Sequence, residues 1–353
     1  MPQTDPDTRM KGYLQKIAAG PRFSKDLTEE EAEDALALIL DDQVSKVRAG
    51  VFLIAARMKL ETVPENIGYW KALQNRVSPA TVDFDQLLQI ADPFDGFQRT
   101  PYFGFYAIPI IAQLGLPVYG HSALPLPPKF GITFEQILQK HYAVKEKQRI
   151  TLLEKYRFGY LNTADTLPQL EALRSLRTEI VKRPMLATLE KILMPVKARQ
   201  NILATTYFHR GYEIALTEIA KLSQFDKVII GNGMEGTTLF GVHKEAKVFI
   251  QNNSDEVKQE NLHLKTMYNE ETRIAEAHEE LKSIESTLET IAKLGEEALK
   301  TGKGPASLQI ASQAGTLTHL SGLFATAQEG FDQAHTVLKS GKAYESLMNW
   351  ISH

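Results

Sequence analysis

The sequence predicts an α/β protein: an N-terminal helical-bundle domain, then a larger α/β domain with a mainly parallel sheet and flanking helices. Three observations carry this. Residues 1–80 have helical periodicity. From about residue 84, short β-branched runs alternate with helix-like segments. After residue 268 the helical period returns and persists to the end.

The first helical stretch is "DLTEEEAEDALALIL". Thr28 stands as an N-cap with Glu29, Glu30 and Glu31 in the first turn, where the helix dipole favours acids, and Ala32, Ala35, Leu36 and Ile39 recur on one face. "KVRAGVFLIAARMKL" repeats the pattern, and "TVPENIGYWKALQNRV" puts Pro64 near a helix start. In the second part, "QLLQIA", "LPVYG", "RFGYL", "ILATTYF", "KVIIG" and "AKVFI" read as strands. Segments 103–114, 133–140, 184–193 and 211–223 read as the helices between them. Leu281, Ile284, Leu288, Ile291 and Leu294 form a helical stripe that reads as packing surface. The expected domains are therefore 1–80 (helical) and 81–353 (α/β), with helices from the middle of the chain as candidates to join the first.

Composition excludes several classes. The 353 residues contain no cysteine, which removes disulfides and thiolate metal sites. No apolar run reaches about 18 residues and the N-terminus "MPQTDPDTRMKG" is polar, so the expectation is a soluble, cytoplasmic protein. The net charge of −3 is near neutral, but it is unevenly spread. Residues 136–200 hold 13 Lys/Arg against 6 Asp/Glu, and residues 251–303 hold 7 against 12. Such asymmetry marks either a binding face or two solvated faces that neutralise one another.

No complete catalytic motif is present: there is no phosphate loop ending in Gly-Lys-Ser/Thr, no His-Glu-x-x-His and no Gly-x-Ser-x-Gly. His141, His209, His243 and His263 share no metal-ligand spacing. The stretch "ADPFDGFQRTPYF" (91–103) offers one Asp-Gly pair, Asp95-Gly96, bracketed by Phe94 and Phe97.

Three blocks in order resemble the anthranilate phosphoribosyltransferase family (glycosyl transferase family 3): "LTEEEAEDALALILDDQVSKVRAGVFLIAARMKLET", "YFHRGYEIALTEIAKLSQFDKVIIGNGMEGTTLFG" and "AHTVLKSGKAYESLMNWI". The resemblance implies a fold like the nucleoside phosphorylases and phosphoribosyltransferases, dimeric through the N-terminal helices around 11–20 and 44–59. It also exposes departures. The family's Gly-Thr-Gly-Gly-Asp-Gly loop, which presents backbone N–H groups to a diphosphate, is "ADPFDG" here, where Pro93 removes a donor and Phe94 adds bulk. The Asn-Ile-Ser-Thr stretch becomes "TPYF", and Lys-His-Gly-Asn-Arg becomes "GHSAL", keeping only His121. The acidic magnesium pair is replaced by Thr238 and Leu239 in "GMEGTTL", leaving Glu235 alone nearby.

The resemblance is thus to a divergent branch that lacks the diphosphate motif and is associated with nucleic-acid binding. The first reading is a non-catalytic nucleic-acid-binding homodimer, favouring single-stranded DNA or RNA over sequence-specific duplex, with no cofactor. Its candidate phosphate contacts are Arg174, Arg177, Lys182, Arg183, Lys191, Lys197 and Arg199, and Tyr156, Phe158 and Tyr160 are considered as stacking surfaces, with core the favoured place for Phe158. Lys265 and Lys282, on the acidic C-terminal side, are expected to contribute little. The second reading is a phosphoribosyl or other glycosyl transferase with an altered site, using magnesium, at a remnant cleft of Asp95, Gly96, Arg99, Thr100, His121, Lys129, Arg183 and Glu235. A small-molecule sensor or scaffold is the third.

Overall fold

The computed structural model describes residues 5–20, 22–144, 148–208, 210–253 and 256–353; His209 lies outside them. Four helices open the chain: α1 (Pro6–Ile17), α2 (Glu29–Leu40), α3 (Lys46–Lys59) and α4 (Val63–Gln74). Thr28 and Thr62 each close a capping box, with Glu31 and Glu65 reaching back to the cap. Glu65 is fully buried. Its carboxylate accepts from Leu27 N at 2.9 Å and pairs with Lys59 at 2.8 Å, tying the end of α3 to the start of α4. The core around these helices also takes Leu167, Leu170, Leu173, Leu176, Met185, Leu186 and Leu189 from the middle of the chain.

A seven-stranded sheet follows. Its strands are β2 (Gln86–Ala91), β3 (Val118–Ser122), β4 (Phe158–Asn162), β6 (Gln200–Thr206), β7 (Lys227–Gly231), β8 (Ala246–Asn252) and β9 (Lys258–Leu262); β1 (Ala80–Thr81) and β5 (Val196–Lys197) pair separately. The order is β4-β3-β2-β6-β7-β8-β9, parallel as far as β7 and antiparallel for β8 and β9. The parallel strands are almost wholly buried, as a sheet covered on both faces by helices requires, and they carry buried polar side chains such as Gln89 and His121. The last strand, "KQENL", reads as no apolar run and escapes sequence patterning; it is largely exposed.

Alternation assigns each face. Leu88, Ile90, Ile202, Ala204 and Ile229 pack against α5 (Gly104–Gln113) and the C-terminal helices, while Ala91, Leu203, Val228 and Ile230 face the N-terminal helices. The helical stripe of residue 281 onward joins the first core: Leu281 and Ile291 are fully buried. Phe158 and Tyr160 belong to this core too. Tyr160 stacks on Phe105 at 4.2 Å, so neither ring is a stacking surface for a ligand, and Tyr156 is half-buried against Phe158.

Candidate functional site

Parallel strands leave their carboxyl ends on one side of the sheet. Between β2 and β6 the order switches: the strands run outward to β3 and β4 on one side and to β7 on the other. Such a switch opens a crevice beyond the strand ends, where ligands of open α/β sheets bind. The crevice is present, as a partly enclosed cleft of about 620 Å³. Three strand ends feed it: Pro93, Asp95, Arg99 and Thr100 after β2, Tyr207 and Phe208 after β6, and Asn232–Gly236 after β7. Arg57 of α3 and Tyr212 enter from the helical side, Lys129 and Arg183 from intervening loops, Lys191 from a short helical turn, and His243, Lys244, His278 and Lys282 complete the lining.

The Asp95-Gly96 pair is a turn. Gly96 N donates to Pro93 O at 2.9 Å, and Gly96 sits at φ +76°. A Cβ there would stand 2.3 Å from the carbonyl carbon of Gly131, because segment 131–132 bonds back to the turn through Gly131 N to Asp95 O at 2.8 Å. Phe94 is buried with Ala123 and Leu126 beneath the turn. Its ring meets the edge of His121, which lies fully buried between Gln89 (3.4 Å) and Thr163 (3.2 Å). Burial pushes the His121 imidazole down to about 3. Gly96 and His121 therefore do not line the cleft; Asp95, Arg99, Thr100, Lys129, Arg183 and Glu235 do.

Both carboxylates in the cleft are committed. Asp95 is ion-paired with Arg183 and lies 3.6 Å from Lys129. Glu235 accepts three backbone N–H groups: Gln98 at 3.1 Å, Arg99 at 2.8 Å and Thr100 at 3.0 Å. Where the resemblance puts a metal pair, Thr238 N donates to the buried Asp92 at 2.7 Å and Leu239 is fully buried. Asp92 also accepts from Tyr102 at 2.6 Å, and burial raises its carboxyl to about 6. Among the described residues no three His, Asp or Glu side chains converge as a metal cage. These donors do not fit a magnesium ion, which needs free carboxylate oxygens beside its waters.

The basic segment of the sequence does not form one surface. Arg177 is buried in a two-pronged pair with Glu190 (2.7 and 2.9 Å) and cannot reach a phosphate. Lys191 is buried, donates to Thr206 and forms cleft floor; burial, with Arg183 adding to it, brings its ammonium down to about 8. Arg174 pairs with Glu171 (2.9 Å) and donates to Pro125 O at 2.8 Å. Lys197 and Arg199 precede β6 and so stand at the opposite end of the sheet from the cleft, with Arg199 on Asp83 and Asp85. Lys182 is exposed and outside the cleft lining, so only Arg183 and Lys191 of that set line it.

Conversely, Lys282 does line the cleft, bonded to Glu279 at 2.6 Å, against the expectation of a spectator. Arg57, Tyr207, Phe208, Tyr212, His243, Lys244 and His278 were not legible as site residues because they come from stretches far apart in the chain; only strand-end position picks out Tyr207 and Phe208. Arg57 bonds the Tyr212 hydroxyl at 2.6 Å, and Phe208 is 59% exposed.

Residues 11–77 match the helical bundle domain of the glycosyl transferase family. An uncharacterized protein of Aquifex aeolicus is 29% identical over 229 residues, which is 65% of this chain and 66%, just under two thirds, of that one. The anthranilate phosphoribosyltransferase of a Geobacillus species is 23% identical over 91% of this chain and 92% of its own. The structure of the Saccharomyces cerevisiae anthranilate phosphoribosyltransferase in complex with PRPP and Mg is similar with a TM-score of 0.77 at 19% identity, covering 98% of this chain and 97% of that one. Residues 11–77 are thus similar to the helical bundle domain of the glycosyl transferase family, and the chain has the fold of the anthranilate phosphoribosyltransferases.

Proposed function

We propose that this phosphoribosyltransferase-like fold is a nucleic-acid-binding protein that does not transfer phosphoribosyl groups, and that it binds single-stranded chains in the cleft at the switch point. The observation that supports it best is the cleft's charge and aromatic lining. Arg57, Arg99, Lys129, Arg183, Lys244 and Lys282 line a space whose two carboxylates, Asp95 and Glu235, are both already engaged. Exposed Phe208 stands among them with Tyr207 and Tyr212. A basic groove tracks phosphates and exposed rings stack bases without regard to sequence. Arg99 and Lys244 are exposed and make no ion pair among the described residues, so they replace Arg177 as the phosphate contacts to test.

The test is a titration of a mixed set of labelled single-stranded oligonucleotides at two salt concentrations. Engagement of about four phosphates gives a log–log salt slope of roughly −3. Arg99→Ala with Lys244→Ala is expected to weaken all sequences alike, because phosphate contacts do not read bases. Absence of binding at low salt overturns the reading.

The second reading, a transferase with an altered site, has one observation in its favour: the cleft is partly enclosed and of small-ligand size. Calorimetry separates the two. Magnesium-dependent, micromolar binding of phosphoribosyl pyrophosphate belongs to the transferase; no such binding is expected.

A further inference from the structure

We propose that Glu235 is a built-in anion that keeps the amide groups of residues 98–100 closed to small phosphates, so that the cleft rejects diphosphates and phosphate monoesters. This rests on the reading of the cleft as a phosphate-binding groove.

Three consecutive N–H groups, from Gln98, Arg99 and Thr100, converge on one carboxylate. Successive backbone N–H groups pointing to one place form an anion-binding concavity, and bonds to a charged acceptor are roughly twice as strong as neutral ones. The anion held here is the protein's own. It comes from the opposite lip of the cleft, on the loop after β7, and its arrival is enforced by backbone geometry. Glu235 itself sits at φ 50°, ψ 19°, a left-handed conformation unfavourable for a residue with a side chain. The turn around it is fixed by Gly236 N to Gly233 O at 3.1 Å and Thr237 N to Met234 O at 2.8 Å. A strained residue held by its surroundings and bonded three times across a cleft fits a retained device better than an incidental contact.

The neighbourhood fits a phosphate once the carboxylate is gone. Lys129 and Arg99 line the same cleft, and Lys129 already donates to Gly96 O at 2.5 Å. A small phosphate carries the two or more oxygens per centre that three N–H donors require, and it would take Glu235's place. A phosphodiester chain gains most of its affinity from many exposed cations and has only one charge per group, so it loses little when this one position is closed.

Glu235→Gly tests the idea and suits the fold, because glycine adopts positive φ without strain. Glu235→Gln keeps one acceptor oxygen and is the intermediate case. The probes are inorganic pyrophosphate and inorganic phosphate without metal, read by calorimetry and by the ¹⁵N amide signals of residues 98–100. The expected result is a gain in pyrophosphate affinity of at least about tenfold in the glycine variant, less in the glutamine variant, with shifts confined to those amides. Equal affinity in parent and glycine variant, or shifts elsewhere only, overturns the proposal. Oligonucleotide binding by the same samples keeps the two questions apart. A parent that binds no oligonucleotide sinks the nucleic-acid reading, while the pyrophosphate comparison alone decides the role of Glu235.

Discussion

Arg177 and Glu190 form a closed pair inside the helical half: Nη1 donates to Oε2 at 2.7 Å and Nη2 to Oε1 at 2.9 Å, with both side chains at 3% exposure or less. Removing one partner strands a charge in a low-dielectric interior. Arg177→Ala is expected to cost about 3–5 kcal/mol in chemical denaturation, whereas replacing both by well-packed apolar residues is expected to be close to neutral. At temperatures where Arg177→Ala remains folded, its oligonucleotide salt slope should equal the parent's.

Phe208 is predicted to contribute stacking. Phe208→Ala should weaken single-stranded DNA binding by about 1–3 kcal/mol, the usual worth of one base on one ring, and Phe208→Trp should restore it. The side chain is mostly exposed, so the melting temperature should hardly move. Fluorescence anisotropy alongside thermal unfolding checks both halves.

Acid should loosen the fold through His121. Its folded pKa, about 3, lies below the usual 6.5, so the unfolded chain takes up the proton more readily. The stability due to neutral His121 is full above about pH 6.5 and falls as pH drops towards 3, by up to about 1.4 kcal/mol per pH unit. His243, brought down to about 4 mainly by burial, pulls in the same direction. The difference in unfolding free energy between parent and His121→Gln, followed from pH 7.5 to 4.5, isolates the contribution. A constant difference would contradict it.

Gly68 permits the close approach of α2 and α4. A Cβ at that position would lie 2.2 Å from Glu29 O and 2.9 Å from Ala32 Cβ. Gly68→Ala must push the helices apart or bend them, and a loss of about 1–3 kcal/mol or more is expected in the denaturation midpoint. Gly12, with open space around it, is the control: alanine there should be tolerated.

We propose that the chain dimerises through α3. Val47, Val51 and Met58 are exposed at 76%, 47% and 74%, and with half-buried Ile54 they lie on one stripe at helical spacing. Phe52 of the same helix is fully buried within its own domain. A self-complementary stripe suits a two-fold pairing of identical helices. Light scattering at micromolar concentration is expected to give twice the 39.6 kDa chain mass, and Val51→Asp with Met58→Asp to give the single mass.

Periodicity and capping made the fold legible. "KVIIG" is β7 to the residue, and Thr28 caps α2 as read. The edge strand β9 was invisible because "KQENL" has a single buried residue and so no apolar alternation to detect. The site was legible only in part, for a different reason. Sequence neighbours such as Arg177, Arg183 and Arg199 diverge into an interior pair, the cleft and the far end of the sheet. Arg57, Phe208 and Lys244 converge from separate elements, and no local signal encodes that. Glu235 was seen as a leftover acid; its bond to the amides of 98–100 depends on the distance between two loops 135 to 137 positions apart.

The exposed outer strand has a bearing on assembly. β9 offers Lys258, Gln259, Glu260 and Asn261 along its length and pairs on one side only, with β8. Charged side chains on a short edge oppose strand addition by another molecule, since each new ladder would have to bring those charges against its own side chains. The sheet is in this way guarded against lateral growth into open-ended aggregates. The α3 pairing proposed above, by contrast, would close on itself at two copies and leave no free edge for growth.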